Sequence, residues 1–273
     1  MSKSIRMFAA AVTAVAATVA SPALAASDVP SFVEDGVFSV CQDPTFPPME
    51  FMSEDQKPVG VDVDVVSALA AHWGAEPKIM TMEFSGLLPS LAAERCDAVI
   101  SGTLLTAERQ ETFDGAGYLN TYIVIVAKKG AEPFASADDL AGKSIAAQSG
   151  TKYVEELNQM SAALEAKGLS PIKVQVYPKQ TDAIQQLQVG RVDGVMTQDT
   201  EVAYREFENP GQFETVWTVP LEAPQPYAAY IRRNGDDKAM LAKAISALVA
   251  DGTLAGIVEN WKLLPSQLDG IGK

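Results

Sequence analysis

The feature that most constrains this chain is a strand–helix alternation that runs from residue 37 to residue 100 and begins again at residue 144. Residues 37–41 predict a strand and 62–73 a helix, with Val63, Val65, Val66, Leu69 and Ala70 at helical spacing and Gly74 as its stop. A stiff proline loop and a small hairpin of 49–51 with 59–61 lie between them. Strand 78–82, helix 87–94 with Pro89 in its first turn, and strand 98–100 complete the first unit. After a strand at 122–128 the order restarts: strands at 144–148, 172–177 and 194–197, helices at 153–167 and 181–189. Helices at 238–250 and 254–261, broken by Gly252, close the chain. Repeated βαβ units imply α/β architecture with parallel sheets covered by helices on both faces. Ligands in such sheets bind beyond the carboxyl ends of the strands.

Those ends carry polar and aromatic residues in both units. Asp43 and Phe46 follow the first strand, Phe84 the second, and Ser101, Gly102, Thr103 and Leu104 the third. Gln148, Thr151 and Asp199 end the strands of the second unit. Two half-sized units with such edges suggest two lobes facing across a cleft. The Ser101-Gly102-Thr103 turn, with Thr106 capping a helix from Ala107, leaves backbone N–H groups free for an anion. Arg109 falls in the first turn of that helix, where the macrodipole disfavours a cation. Either a carboxylate holds it there or it is a solvated surface arginine, since Glu108 and Glu111 are not at pairing distance along a helix. Asp199 suits an ammonium or, equally, the cap of a helix from Thr200. Phe46 and Phe84 are either cleft walls able to take a cation face-on or ordinary core.

The N-terminus reads as a secretory leader. Lys3 and Arg6 precede an Ala/Val-rich run that ends in an A-x-A pattern at Ala25. The run is shorter than the roughly 20 residues of a membrane span, and no cysteine follows until Cys41, so neither an anchor nor lipid attachment is expected. Removal of Lys3 and Arg6 takes the formal charge from −14 to −16, which argues against nucleic acid or anionic membranes as partners. Cys41 and Cys96 are expected at opposite ends of parallel neighbours, hence as buried free thiols. The one histidine, His72, reads as a surface residue at a helix end, and no metal site, catalytic triad or cofactor is expected.

The segments Asp43-Pro44-Thr45-Phe46-Pro47-Pro48-Met49-Glu50-Phe51, Val59-Gly60-Val61-Asp62-Val63-Asp64, Phe84-Ser85-Gly86-Leu87-Leu88-Pro89-Ser90-Leu91 and Ser101-Gly102 to Glu108-Arg109 closely resemble the polar amino-acid class of periplasmic solute-binding proteins, the family 3 receptors of ABC importers. The likeness continues through Leu140-Ala141-Gly142-Lys143, Gln148-Ser149-Gly150-Thr151, Gly190-Arg191-Val192-Asp193 and Ala250-Asp251-Gly252-Thr253 to Asn260-Trp261. It implies a two-lobed type II binding-protein fold, with lobe one about 33–122 plus 227–273, lobe two about 123–226, and ligand trapped by hinge closure. By this resemblance Arg109 grips the ligand carboxylate, Thr151 adds a donor, Asp199 takes the α-ammonium, and Asp43, Phe46 and Phe84 contact or sandwich the ligand. The implied partners are a small amino acid or zwitterion and a membrane permease, with the receptor expected as a periplasmic monomer.

Leu104 stands where the family commonly has Ser or Thr, so one donor to the ligand is missing, a loss of about 0.5–1.5 kcal/mol. Phe113-Asp114-Gly115-Ala116-Gly117-Tyr118 also departs from the family's usual wording. With Gln148 and Asp43 on the same cleft, a neutral or cationic amino acid is expected, or a zwitterion with a substituted nitrogen such as an ectoine, betaine or opine. An enzyme of the cyclohexadienyl dehydratase type is the competing class, with Glu155, Glu156 and Glu201 as conceivable acids. A sensor or accessory role without transport also stays open.

Overall fold

A computed structural model describes residues 29–33, 35–221 and 223–273, and the expected leader lies outside them. The chain begins with β1 (Val37–Gln42), β2 (Thr45–Phe46), β3 (Glu50–Met52), β4 (Pro58–Val59), α1 (Val61–Trp73), β5 (Glu76–Thr81), α2 (Leu87–Ala92), β6 (Ala98–Val99), α3 (Ala107–Thr112) and β7 (Phe113–Thr121). Helix α1 forms because Val61, Val65, Val66, Leu69, Ala70 and Trp73 make one buried stripe, and Gly74 ends it at φ 68° with its N–H on the Ala70 and Ala71 carbonyls. Burial of each large aliphatic side chain there contributes roughly 1.5–3 kcal/mol. His72 is exposed on the last turn.

The second part runs β8 (Ile123–Lys128), β9 (Ser144–Gln148), α4 (Lys152–Ala166), β10 (Lys173–Tyr177), α5 (Gln180–Gln188), β11 (Gly194–Gln198), α6 (Asp199–Glu208) and β12 (Phe213–Thr218). The chain then returns through β13 (Gln225–Arg232), α7 (Gly235–Ala250) and α8 (Thr253–Asn260). Two five-stranded sheets result, ordered β5-β1-β6-β13-β7 and β10-β9-β11-β8-β12. Each has three parallel strands followed by two antiparallel ones. A small antiparallel sheet of β2, β3 and β4 sits between β1 and α1 in sequence. The chain crosses between the large sheets at Tyr122, which separates β7 from β8, and again between β12 and β13.

Strands β7, β12 and β13 are not expected from the sequence. In β7 the glycines at 115 and 117 weaken strand propensity, and packing overrides it. A Cβ on Gly115 would lie 2.8 Å from the Tyr230 ring, and one on Gly117 would lie 2.9 Å from Pro226. Absence of a side chain is what lets β7 and β13 approach.

The cysteine expectation is overturned. Cys41 and Cys96 form a disulfide with Cα atoms 5.9 Å apart. After α2 the chain turns through Glu94 at φ 56°, and Cys96 joins Cys41, Leu87, Leu91 and Val99 in one buried cluster. Because this approach to β6 is not itself a strand, Cys96 is not at the far end of the sheet from Cys41.

Candidate functional site

The carboxyl ends of the parallel strands in the two sheets meet across a cleft. A narrow cavity lies there, walled on the first lobe by Phe46, Glu50, Phe84, Gly102, Leu104 and Arg109. The second lobe contributes Gln148, Thr151, Lys152, Tyr153, Gln180 and Gln198. Phe84, Arg109, Thr151 and Lys152 also border a wider groove between α2 and α4, where Thr103 lies. The lobes touch: Gln148 Nε2 donates to Asp43 Oδ2 at 2.6 Å, and the Gln180 N–H donates to Thr45 Oγ1 at 3.3 Å.

Arg109 is half-buried in the first turn of α3, whose cap is Thr106 accepting from the Arg109 N–H. The macrodipole conflict is resolved by three neighbours. Its Nη1 donates to the Leu104 carbonyl at 3.1 Å, its Nη2 to the Gly150 carbonyl at 3.4 Å, and the guanidinium carbon lies 6.0 Å from the Phe84 ring centre. Arg109 is therefore not a solvated surface residue, and Phe84 already has a cation on its face. Burial lowers the Arg109 pKa from its ordinary value, yet arginine starts high enough to stay charged at neutral pH.

The Ser101-Gly102-Thr103 turn does attract an anion, but an internal one. The Gly102 N–H donates to Asp62 Oδ2 at 2.6 Å, and the Tyr118 hydroxyl donates to Asp62 Oδ1. Ser101 is turned away from the cavity, donating to Glu50 Oε1 and accepting from the Asp43 N–H, while the Thr103 hydroxyl donates to the Ser101 carbonyl. Glu50 is fully buried. Burial, then the Asp62 charge, pushes its pKa well above the usual carboxylate range. Burial raises Asp62 to about 6, against the hydrogen bonds it accepts from Glu50, Tyr118 and Gly102. The pair thus keeps a proton on Glu50 and the charge on Asp62, where two donors meet it. Burial likewise raises Asp43, opposed by donors from Gln148 and the Phe84 N–H.

On lobe two, Thr151 lines the cavity, but its hydroxyl donates to the Gln148 carbonyl at 2.6 Å. Asp199 does not line it. Its carboxylate accepts from the Thr121 hydroxyl at 2.6 Å and the Tyr122 N–H at 3.1 Å, which ties α6 to the first crossing segment. The residue that faces the cavity at this strand end is Gln198, one position earlier. Side chains alternate along a strand, so neighbours at its end point apart. Sequence reasoning passed over Gln198, Gln180, Lys152, Tyr153 and, as a cavity residue, Glu50. Glu50 stands inside a recognised motif, while the others carry no signal beyond lying near strand ends.

The model of the bacterial extracellular solute-binding proteins, family 3, matches residues 38–263. The chain belongs to that family. It is 29% identical over 230 residues to the L-cystine-binding protein TcyJ of Escherichia coli K12, covering 84% of this chain and 83% of that protein. The ABC transporter arginine-binding protein 1 of the same organism is 34% identical over 227 residues, 80% of this chain and 87% of that one. An ancestral arginine-binding protein bound to arginine has a TM-score of 0.74 at 30% identity, covering 83% of this chain and 98% of the other. Its type II binding-protein fold is the fold of this chain.

Proposed function

We propose that this chain is the substrate-binding protein of an ABC importer, exported to the periplasm through its leader, that captures an amino acid or an amino-acid-derived carboxylate. Arg109 is the observation that carries this reading. A half-buried guanidinium on a cavity wall, fixed by two carbonyls and an aromatic face, keeps further N–H groups for a ligand carboxylate. Lobes of 33–122 plus 227–273 and of 123–226 would close about Tyr122 and the return crossing, delivering ligand as a monomer to a membrane permease. Relatives that bind cystine and arginine support an amino-acid-type cargo.

The acids weighed for an enzyme are engaged elsewhere, which favours binding over turnover. Glu155 and Glu156 pair with Lys152 at 2.8 and 3.7 Å, and buried Glu201 accepts from Gln180, Thr197 and Arg205. A thermal-shift screen of the chain from Ala26 onward tests the proposal. A ligand at about 100 times its Kd adds roughly 2.7 kcal/mol of stability. Arg109→Ala is expected to weaken that ligand about 100-fold, through loss of charged hydrogen bonds in a buried setting. Undiminished binding by Arg109→Ala, or no ligand among amino acids and their derivatives, defeats the reading.

A further inference from the structure

Gln180 and Gln198 line the cavity on the lobe facing Arg109, and each is 1% exposed. Three of their side-chain polar atoms, Gln198 Oε1 and Nε2 and Gln180 Oε1, have no hydrogen-bond partner within the described residues. The Gln180 amide has one orientation. Its Nε2 donates to Glu201 Oε2 at 2.6 Å, and a carboxylate held by Thr197 and Arg205 accepts only from a donor. Gln180 Oε1 is therefore a fixed acceptor. Gln198 has no such tie, and the Tyr153 hydroxyl faces its amide without reaching hydrogen-bonding geometry. A buried donor or acceptor left unpaired is costly. The group that completes this wall must donate to Gln180 Oε1 and must both donate to Gln198 and accept from it.

We infer that Gln180 and Gln198 read the side chain of the cargo, that this side chain ends in a neutral planar group able to donate and accept at once, a carboxamide or a ureido group, and that Gln198 sets the choice. The inference rests on the importer reading and narrows its cargo. A guanidinium has the same shape but only donates, so Gln198 Nε2 stays unpaired. A side-chain carboxylate only accepts, which leaves both Oε1 atoms unpaired and puts a second negative charge near the Glu50–Asp62 pair. An alkyl or thioether end pairs with neither residue. The α-nitrogen does not enter this choice, because an ammonium has carboxylates at hand on both lobes. Both donors to Asp199 meet Oδ1, and the Phe84 and Gln148 donors to Asp43 both meet Oδ2. Phe46 and Leu104 supply the apolar wall for the methylenes between the two polar ends.

Matched side chains decide it by calorimetric titration of the chain from Ala26 onward. The sets are L-asparagine with L-aspartate and L-leucine, L-glutamine with L-glutamate and L-methionine, and L-citrulline with L-arginine. All share the same α-amino and α-carboxylate groups, so only the side chain varies. In at least one set the carboxamide or ureido member is expected to bind about tenfold more tightly than its companions, the cost of one buried group left unpaired. Gln198→Leu is expected to weaken that member about tenfold and to leave its companions no weaker, which a general loss of packing would not do. Charged or apolar members that bind as well as or better than the planar member in every set, with Arg109→Ala abolishing them, overturn the inference and leave the importer reading standing. Silence from all three sets overturns the inference, and silence across the wider thermal-shift screen overturns the importer reading with it. A folded Gln198→Leu variant with unchanged preference defeats the assignment of Gln198, and if that variant does not fold, the wild-type sets decide alone.

Discussion

The two walls of the cleft are built to the same plan and finished in opposite ways. On lobe one the cleft carries carboxyls and a guanidinium: Asp43, Glu50 and Asp62 are all buried, each with a protein donor, while Glu50 Oε2 is left without one. On lobe two the strand ends carry carboxamides, and Gln180 and Gln198 keep polar atoms unpaired. Lobe one is further cross-linked by Cys41–Cys96, the only two cysteines of the chain. One wall is a cross-linked, largely bonded anchor, and the other keeps both polar atoms of Gln198 and one of Gln180 open to the cleft. Affinity gained at such an anchor is not spent on ordering it.

The largest expected effect removes the anchor's cross-link. Cys41 and Cys96 are 55 residues apart, so the pair of substitutions Cys41→Ala and Cys96→Ala is expected to cost about 4 kcal/mol in urea unfolding. The loss of hydrogen-exchange protection should concentrate in β1, α2 and β6. Equal loss in β9 and β11 would mean that the two lobes are not separately held.

A smaller effect separates the walls by pH. Asp62 rises from 3.8 to about 6 and Glu50 rises further, so the native chain binds more protons here than the unfolded chain does. The stability contributed by this pair is full below about pH 4 and is lost as pH rises through 6 and beyond. Each tenfold change in proton affinity between the folded and unfolded chain is worth roughly 1.4 kcal/mol, which puts the loss on the order of 3 kcal/mol for Asp62. Glu50→Gln preserves the shape and cannot ionise, so its stability should fall less between pH 4 and 8 than that of the wild type. Parallel profiles for the two proteins would show that the pair does not share its proton as described.

What the sequence revealed of this arrangement follows the physics of each signal. Parallel strands and their helices were legible because buried runs and helical spacing are local patterns, as at α1 and β9. Among the cleft residues, Arg109, Phe84 and Leu104 were legible because they lie in motifs that keep their order along the chain. The partner of the Gly102 N–H was not legible, because Asp62 is 40 residues away and reaches the turn only through the fold. The exchange of Asp199 for Gln198 turns on where β11 stops, and a shift of one residue reverses which side chain faces the cavity. Both the disulfide and strand β7 depended on close approaches that local propensity does not encode.

The smallest expected effect sharpens the comparison through one atom. Gly150 lies in the turn after β9 at φ 78°, and a Cβ there would sit 2.9 Å from the Cα of Ser85 on the opposite lobe. Gly150→Ala therefore carries two separable costs. The left-handed backbone strains alanine whether or not the lobes meet, by about 1 kcal/mol, while the contact with Ser85 acts only when they do. Gly142→Ala isolates the first cost: Gly142 has φ 73°, and its nearest neighbour would be Ser170 Cβ at 3.6 Å within the same lobe. Both variants should lose similar stability without ligand. Only Gly150→Ala should lose affinity, about tenfold if displacing the backbone at Ser85 costs close to 1.4 kcal/mol. Equal affinity in the two variants would mean that ligand is held without the lobes closing to this distance, and the unpaired amides of lobe two would then face a wider cleft than the one described.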